Sequence, residues 1–476
     1  MLLLFVNADA SNAPLRHFVP PPPQRGEEFV CYKANPVARQ GKIPFSPCRL
    51  FSLSFSHSFF SLLAFNLNRQ NDIFYYLRGV NNRTAMLDAA TIEFIRAHRN
   101  DDTRALALQA GRYPGVDVRE AVVQIEGFQQ AREKLPAWSA VDGIIYPPKI
   151  SMEQCSSEHT ARYKAALVAG AGFADLTGGF GIDFSYISRG FQQAFYIERN
   201  ERLCEIATAN FALLGLGNTR VMNGNSEELL SSLPLLDWIF VDPARRDGDG
   251  RKVVALSDCE PNVVELEGAL LAKAANVMVK CSPMLDITLA CRQLASVTAV
   301  HVVAVNNECK ELLFVLGREK VTACMVHCVN ILKDGVQQFS FAQDEESASS
   351  ATYCNEVGRY LYEPNATIQK AGCHNSLSQR FGLKKLHPNS QLYTADECID
   401  AFPGRVFEVQ EVLGFSKADI KRVQALQKAN ITVRNFPDTV QVLRKRLKLA
   451  DGGENYIFAT TVAKGDKVLV VCKKVQ

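Results

Sequence analysis

Between residues 173 and 316, short apolar segments alternate with segments of helical pattern, and this alternation most constrains the fold. The strand candidates are residues 173–177, 194–198, 219–222, 237–241, 276–281, 299–305 and 312–316. Strands separated by helices are typical of a doubly wound α/β fold with a parallel sheet. The last two candidates are separated only by NNECKE, which is too short for a parallel crossover, so we predict that one of them runs antiparallel. An antiparallel pair of strands at the end of the series disfavours a plain dinucleotide-binding fold.

A glycine-rich turn follows the first strand candidate, in the segment FADLTGGFGID (residues 173–183). Asp175 ends the strand, and Gly179 and Gly181 lie in the turn that leads into the next helix. Because glycine lets the backbone N–H groups approach a ligand closely, the turn predicts a nucleotide-like ligand at the carboxyl end of this strand. A nicotinamide fingerprint would place glycine three residues after Gly181, where this chain has Phe184. The turn therefore favours a different nucleotide.

Polar residues also follow the next three strand candidates, where open α/β sheets bind ligands. Glu198 closes the second strand and lies 23 residues after Asp175, a suitable place to accept hydrogen bonds from ribose hydroxyls. Asn225 follows the third strand and DPARRD (residues 242–247) follows the fourth. Each feature alone has an ordinary explanation: a helix cap for Asp175, a surface carboxylate for Glu198, a salt-bridging loop for the two arginines. Their occurrence at four successive strand ends favours a binding site.

As a set, these motifs resemble those of the class I S-adenosylmethionine-dependent methyltransferases, over roughly residues 151–320. DLTGGFG resembles the first motif of that family, Glu198 its second-strand acid, Asn225 a variant of its usual aspartate, and DPAR its fourth motif. The resemblance implies S-adenosyl-L-methionine as cofactor. The cofactor-binding residues that it implies are Asp175, Thr177, Gly179, Gly181, Glu198, Asn225 and Asp242.

The segments SMEQCSSE, DLTGGFGID, DPARRD, SPMLDI and NECKELLFVL resemble more closely an uncharacterised methyltransferase group of Bacteroidetes type. That resemblance implies an α/β fold, with a Rossmann-like class I methyltransferase sheet, an N-terminal helical domain and small C-terminal α+β domains, one ferredoxin-like and one THUMP-like. The domains expected are residues 1–85 as a disordered extension or misassigned start, 86–150 as the helical N-terminal domain, 151–345 as the Rossmann-like methyltransferase domain, 346–409 as the ferredoxin-like domain and 410–476 as the THUMP-like domain. In SMEQCSSE, Ser156 or Ser157 indicates a capped helix before the first strand.

The charge is unevenly distributed along the chain. Residues 404–476 contain 14 Lys and Arg against 7 Asp and Glu, whereas the whole chain has a formal net charge of +3. A basic C-terminal segment on a more acidic body fits a polyanionic partner, although a solvated charged surface explains the charge equally well. THUMP domains are linked with RNA binding, so the resemblance implies that RNA, as tRNA or rRNA, is bound through the basic C-terminal domain.

The residues predicted to face the acceptor are Asp242, Arg245 and Lys280. Asp242 could orient the acceptor or take its proton. DNA and RNA adenine amino methylases of this fold usually place an aromatic residue where this chain has Arg245, which disfavours exocyclic adenine methylation. Arg245, Arg246 and Lys280 would instead suit a phosphate or a guanine edge. Cys281 is a weaker candidate, as the nucleophile of a pyrimidine C5 methylase or as a packed strand residue.

The chain contains fourteen cysteines, none of them in a CxxC pair, and its sequence shows no convincing secretory signal. We therefore predict reduced thiols and a cytoplasmic protein. Cys324, His327 and Cys328 lie in a β-like run, so we predict no metal site there. Residues 50–65 are apolar but rich in serine, and we predict no membrane segment.

We therefore expect a methyltransferase that modifies a base in structured RNA. Two alternatives stay open at this point: a methyltransferase of proteins or small molecules, and a non-catalytic RNA-binding protein with a vestigial cofactor fold. The oligomeric state stays open as well.

Overall fold

The computed structural model describes residues 87–245, 256–319 and 321–475 of the 476-residue chain. The chain divides into the units Met1–Thr84 and Ala85–Gln476, and the description that follows concerns the second unit. The prediction made for residues 1–85 lies outside the described residues. Within the described ranges, no helix combines the length and the apolar character needed to cross a membrane.

Helices precede the first strand of the sheet. Those described are α1 (Ala89–His98), α2 (Thr103–Leu108), α3 (Val118–Lys134), α4 (Pro136–Ser139), α5 (Lys149–Gln154) and α6 (Glu158–Ala166). Side-chain oxygens of Asp88, Asp102, Asp117 and Ser157 accept backbone N–H groups at the starts of α1, α2, α3 and α6. Of the two serines considered for the last of these caps, Ser157 is the one used.

The central part of the described chain forms a nine-stranded sheet and a separate two-stranded ribbon. The strands are β1 (Gly170–Asp175), β2 (Phe191–Glu198), β3 (Thr219–Asn223), β4 (Leu236–Val241), β5 (Ala244–Arg245), β6 (Cys259–Glu260), β7 (Ala274–Cys281), β8 (Val297–Val305), β9 (Glu308–Gly317), β10 (Met325–Leu332) and β11 (Gly335–Ala342). The helices between them are α7 (Ile182–Ile187), α8 (Glu201–Leu213), α9 (Ser226–Leu230), α10 (Val263–Lys273) and α11 (Ile287–Gln293).

The strand order in the large sheet is β11-β10-β8-β9-β7-β4-β1-β2-β3, and β5 pairs with β6 in the ribbon. The strands β3, β2, β1, β4 and β7 pair in parallel, whereas β9 is antiparallel to both β7 and β8. This confirms the antiparallel strand predicted from the short NNECKE segment. The strands β10 and β11 extend the same sheet, which the sequence analysis did not anticipate.

The central strands are buried on both faces, as parallel strands covered by helices require. In β1, Ala174 belongs to one apolar cluster together with Ile197 of β2, and Phe173 belongs to a second cluster together with Tyr196 and Phe240. Asp175 is the last residue of β1, and its partners Tyr196 and Phe240 lie close to the ends of β2 and β4.

The C-terminal residues form one eight-stranded sheet of order β12-β14-β15-β13-β16-β19-β18-β17. Its strands are β12 (Thr352–Tyr353), β13 (Tyr360–Pro364), β14 (Lys384–Lys385), β15 (Tyr393–Ala395), β16 (Gly404–Leu413), β17 (Asn430–Val433), β18 (Asn455–Thr461) and β19 (Lys467–Lys474). The helices described here are α12 (Glu345–Ala348), α13 (Ala366–Ala371), α14 (His374–Phe381), α15 (Lys417–Gln424) and α16 (Val440–Leu447). The strand β16 crosses the expected limit between residues 409 and 410, and the domain limits stay a prediction.

The C-terminal sheet and its helices dock on the outer strands of the large sheet. Gln337 of β11 donates a hydrogen bond to the carbonyl oxygen of Gly404 over 2.8 Å and accepts one from Asn365 over 3.1 Å. A continuous buried cluster joins Val326 of β10 and Leu377 of α14. The strands β10 and β11 therefore provide the surface on which the C-terminal part is fixed.

We predict that Glu346→Ala lowers the free energy of unfolding by about 2–3 kcal/mol, the range for hydrogen bonds to charged groups. The Glu346 carboxylate accepts the backbone N–H groups of Asn375 and Ser376 at the start of α14, each over 2.8 Å, and the Ser376 hydroxyl. Without it these donors are left unpaired. Urea denaturation would measure the change, with exposed Glu356→Ala as the control. Equal effects of the two substitutions would contradict the prediction.

Candidate active site

The carboxyl ends of β1 and β4 are tied together by one threonine hydroxyl. The backbone N–H of Asp242, just after β4, donates to Thr177 Oγ1 over 2.7 Å. The backbone N–H of Thr177 in turn donates to Asp175 Oδ1 over 2.9 Å, and its hydroxyl lies 3.3 Å from the same oxygen. Three of the predicted residues are thus brought together at the edge of the sheet.

The glycine turn is shaped by close packing on one side and by open space on another. A Cβ at Gly178 would lie 2.3 Å from the ring of Tyr196, and one at Gly181 would lie 2.7 Å from the ring of Phe211. Gly181 also has a positive φ of 84°, which side chains rarely adopt. At Gly179, by contrast, the nearest atom to such a Cβ is the carbonyl oxygen of Thr177, 3.8 Å away. The turn therefore presents an open backbone surface at Gly179.

Glu198 lies beside this open surface and is oriented by backbone amides. Its Oε2 accepts the N–H of Gly179 and its Oε1 accepts the N–H of Asn200, each over 2.8 Å. The side chain is half-buried at the end of β2. Two charge-assisted hydrogen bonds fix the direction of this carboxylate and leave its remaining lone pairs for a ligand.

Asn225 lies at the start of α9, after β3. Its side-chain oxygen accepts the backbone N–H of Glu227 over 2.8 Å and so caps this helix, and the residue is exposed. This contact occupies one acceptor position of the amide. Recognition of adenine by Asn225 stays a prediction.

Lys280, the penultimate residue of β7, lies against Asp242. Its Nζ is 2.5 Å from Asp242 Oδ2 and 3.3 Å from Asp183 Oδ2. The Lys280 side chain is 11% exposed, whereas that of Asp242 is 37% exposed. Asp242 is therefore the member of the pair that an acceptor can reach, and Lys280 lies behind it.

Lys280 belongs to a buried set of charges, whose other members the sequence analysis did not identify. Lys164 of α6 is fully buried, and its Nζ lies 3.1 Å from Asp183 Oδ1 and within 2.7 Å of both oxygens of Glu311. Ser156 donates to Asp183 Oδ2 over 2.7 Å. Three of these residues lie in segments on which the family resemblance depends, namely Ser156 in SMEQCSSE, Asp183 in DLTGGFGID and Glu311 in NECKELLFVL. The segments signalled importance, but nothing in them indicated the pairing.

The electrostatic environment differs between the acids and the lysine of the site. Burial raises the pKa of Asp175 to about 8, and the nearby carboxylates of Asp183 and Asp242 act in the same direction. Burial opposes the charge of Lys280, but Asp242, Asp183 and Glu311 outweigh it and raise the pKa of Lys280 well above its usual value. Lys280 is therefore a fixed cation and not a general base.

Two further predicted groups occupy different positions. Arg245 ends β5, which pairs with β6, and it follows Asp242 closely in the chain. Arg246 lies outside the described residues. Cys281 ends β7, and burial raises the pKa of its thiol well above the usual range. Since the thiolate is the nucleophilic form, this environment disfavours the nucleophilic role considered for Cys281.

Comparisons with known proteins give matches over most of the chain. A ferredoxin-like domain family matches residues 360–403, and a THUMP domain-like family matches residues 404–474, where the match begins with β16. The crystal structure of a candidate methyltransferase from Porphyromonas gingivalis W83 is 34% identical in sequence, with a TM-score of 0.75, and the match covers 83% of this chain and 100% of that chain.

Two proteins from strains of Mycobacterium tuberculosis, described as uncharacterised S-adenosylmethionine-dependent methyltransferases, are each 25% identical over 321 residues. Each of these matches covers 66% of this chain and 84% of the Mycobacterium protein.

We predict that Asp175→Asn becomes steadily more stable relative to the wild type as the pH rises. The pKa of Asp175 in the folded protein, about 8, lies above the ordinary value of 3.8. The neutral carboxyl therefore stabilises the fold at low pH, and this contribution is lost as the pH rises towards 8. The difference in unfolding free energy between Asp175→Asn and the wild type should change by about 1.4 kcal/mol per pH unit between these two pKa values. Denaturation from pH 5 to pH 9 measures it, and a difference independent of pH would contradict the prediction.

Proposed function

Because this chain belongs to the family of S-adenosylmethionine-dependent methyltransferases that carry ferredoxin-like and THUMP-like C-terminal domains, we propose that it methylates a base in structured RNA, either tRNA or rRNA. The family makes the protein an S-adenosylmethionine-dependent enzyme. The RNA substrate and the roles of individual residues are our proposal.

The residues at the sheet edge fit S-adenosylmethionine. Gly179 leaves an open backbone surface, and Glu198 beside it has a fixed carboxylate that suits ribose hydroxyls. The observation that carries the assignment is the charge beneath this surface, where Asp183, Asp242 and Glu311 outnumber two lysines. The carboxylate in excess is that of Asp242, whose side chain is 37% exposed, and an accessible carboxylate in excess of the balancing cations favours a cationic ligand. When bound, the cofactor supplies a methyl group that its sulfonium already activates.

The cofactor-binding residues that we propose are Asp175, Thr177, Gly179, Gly181, Glu198, Asn225 and Asp242. Thr177 has a structural part in this, since its hydroxyl holds the backbone of Asp242 against the glycine turn. Asp175 lies directly beneath the turn, where its carboxyl stays largely neutral until the pH approaches 8.

At the acceptor side, we assign to Asp242 the orientation of the acceptor nitrogen and to Arg245 a contact with the RNA. Asp242 is partly exposed and held from behind by Lys280, so its carboxylate has one preferred position. Since catalysis of methyl transfer depends mainly on alignment, a carboxylate in a fixed position is what this chemistry requires. Lys280 would act through Asp242 and not on the RNA directly.

The C-terminal part supports an RNA substrate. It matches a THUMP domain-like family and contains twice as many basic as acidic residues, 14 against 7. Exposed lysines lie on α15, on α16 and directly after α16, namely Lys417 and Lys421, Lys445, and Lys448. A cationic face of this kind suits the phosphate backbone of RNA.

We predict that Glu198→Ala weakens the binding of S-adenosylmethionine by about 10- to 100-fold, because hydrogen bonds to a charged group contribute about 1.5–3 kcal/mol. The substitution removes the carboxylate that orients Gly179 as well as the proposed ribose contact. Isothermal titration of the full chain measures the affinity, with exposed Glu201→Ala, at the start of α8, as the control. Unchanged affinity in Glu198→Ala would remove this residue from the proposed site.

We expect the wild-type protein to transfer labelled methyl groups from S-adenosylmethionine into total RNA. Label released by ribonuclease and retained after protease treatment supports the RNA substrate, whereas label that resists ribonuclease contradicts it. Asp242→Asn should lose about 100-fold in rate, the order of effect expected when an aligning group is removed.

Charge reversal on the C-terminal helices separates RNA binding from cofactor binding in the same assay. Lys421→Glu/Lys445→Glu should weaken RNA binding. The slope of the logarithm of the binding constant against the logarithm of the salt concentration should fall by the amount expected for the loss of about two phosphate contacts. Cofactor affinity should stay unchanged. Lys333→Glu, an exposed lysine beyond the end of β10, is the matched control. Equal effects of both charge reversals on RNA binding would contradict a role for this face.

A further inference from the structure

Five charged side chains of alternating sign run from the interior of the large sheet to the acceptor side of the site. In order they are Glu311, Lys164, Asp183, Lys280 and Asp242, joined by distances of 2.6, 3.1, 3.3 and 2.5 Å between their nearest charged atoms. The side chains of Lys164, Glu311 and Asp183 are less than 10% exposed. Exposure rises only at the far end, at Asp242. We refer to these five residues as the charge chain.

Asp183 is the branching member of the charge chain. Its Oδ1 lies 3.1 Å from Lys164 and its Oδ2 lies 3.3 Å from Lys280, so it divides its two oxygens between two cations. Burial opposes the ionisation of Asp183, but Lys164, Lys280 and the Ser156 hydroxyl outweigh it and hold its pKa below the usual value. Asp183 is therefore an anion that attracts whichever cation is available.

Lys280 lies between two anions, and its distances show which one it prefers. Its Nζ is 2.5 Å from Asp242 but 3.3 Å from Asp183. The Ser156 hydroxyl, also 3.3 Å away, contacts both lysines. Since Lys164, 3.1 Å from Asp183 Oδ1, already offsets the charge of this carboxylate, Lys280 can approach Asp242 closely.

We propose that Lys164 is a positioning residue for methyl transfer, because its pairing with Asp183 leaves Lys280 to hold the Asp242 carboxylate in place. This inference rests on the proposed function, in which Asp242 orients the acceptor. Lys164 itself is fully buried in α6, so its Nζ is out of reach of a cofactor or acceptor at the surface. Its effect reaches the site only through Asp183 and Lys280.

The physical argument is a competition for one cation. Without Lys164, Asp183 is a buried carboxylate whose remaining cationic contact in the charge chain is Lys280. An uncompensated buried charge is strongly destabilising, whereas Asp242 is partly exposed and can be solvated by water. Lys280 should therefore move towards Asp183. Asp242 then loses the contact that fixes its carboxylate.

The test removes Lys164 together with its other partner, Glu311, so that Glu311 is not left as an unpaired buried charge. In Lys164→Met/Glu311→Met both members of one buried ion pair become apolar residues of similar volume, a change that is often neutral for stability. A crystal structure of the full-chain variant should show Lys280 Nζ more than about 4 Å from Asp242, beyond ion-pair distance, and in contact with Asp183. Lys280 still paired with Asp242 would overturn the proposal.

A second variant tests the competition itself. Lys164→Met/Asp183→Asn/Glu311→Met removes the same ion pair and also the anion that would attract Lys280, so Lys280 should stay on Asp242. Should the apolar pair at positions 164 and 311 fail to fold, Lys164→Gln/Glu311→Gln replaces it with the same expected distances. Movement of Lys280 in the variant that lacks the Asp183 charge would show that Lys164 acts in another way, and would overturn the proposal.

Activity gives an independent readout. In Lys164→Met/Glu311→Met, kcat should fall by about 100-fold, as for a misplacement of about 1 Å, while KM for RNA and the affinity for S-adenosylmethionine stay within about threefold. Lys164→Met/Asp183→Asn/Glu311→Met should recover most of the lost rate. Arg162→Met is the matched control, since it breaks a 2.6 Å ion pair with Glu158 on the same helix but outside the charge chain. An equal loss of kcat in the control would assign the effect to the general stability of α6.

Failure of this inference can be told apart from failure of the proposed function. If the wild-type protein binds S-adenosylmethionine but labels no RNA, the proposed substrate fails, and the position of Lys280 in the crystal structures still decides the role of Lys164. If RNA is labelled but Lys280 does not move, the proposed function stands and the positioning role of Lys164 fails.

Discussion

The position of β9, antiparallel between β7 and β8, is the constraint on which the rest of the structure depends. It covers one edge of β7, whose other edge pairs in parallel with β4, so that Lys280 and Asp242 lie at the same end of the sheet. It also brings Glu311 beneath that edge, within ion-pair distance of Lys164. On its other side, β8 continues the sheet to β10 and β11, where the C-terminal part docks. One reversed strand therefore organises both the charges beneath the site and the attachment of the C-terminal sheet.

The site is stabilised in two different ways, by packing around the glycine turn and by a network of charged side chains. The glycine turn is held by packing against aromatic rings and by the hydrogen bond from the Gly179 N–H to the Glu198 carboxylate. The charges beneath it are held by mutual attraction in a nearly dry interior, where each member depends on the others. Such a network is sensitive to the loss of a single partner. It is also a means of holding one exposed carboxylate, that of Asp242, in a defined position.

Much of the fold was predictable from the sequence, because it depends on local patterns. The apolar segments marked seven strands of the large sheet, and the short NNECKE segment was enough to predict the reversed strand. Asp175, Thr177 and Asp242 follow strand ends that the topology brings together. The pairing of Lys164 with Glu311 was not predictable, because the two residues are 147 positions apart and no local pattern indicates a partner. The same reason explains β10 and β11, whose strand pattern gave no sign of the sheet that they join.

The C-terminal sheet runs without interruption through the ferredoxin-like and THUMP-like matches, with β13 hydrogen-bonded to β16 across the limit between them. A joint of this kind cannot act as a hinge, because bending it would break a row of backbone hydrogen bonds in a buried sheet. The basic helices therefore keep a fixed position relative to the ferredoxin-like part, which docks on β10 and β11. On the proposed function, an RNA bound by the basic helices presents to Asp242 only the nucleotide that lies at the matching distance along the RNA. Choice of the target would then depend on the architecture of the RNA as much as on the identity of the base.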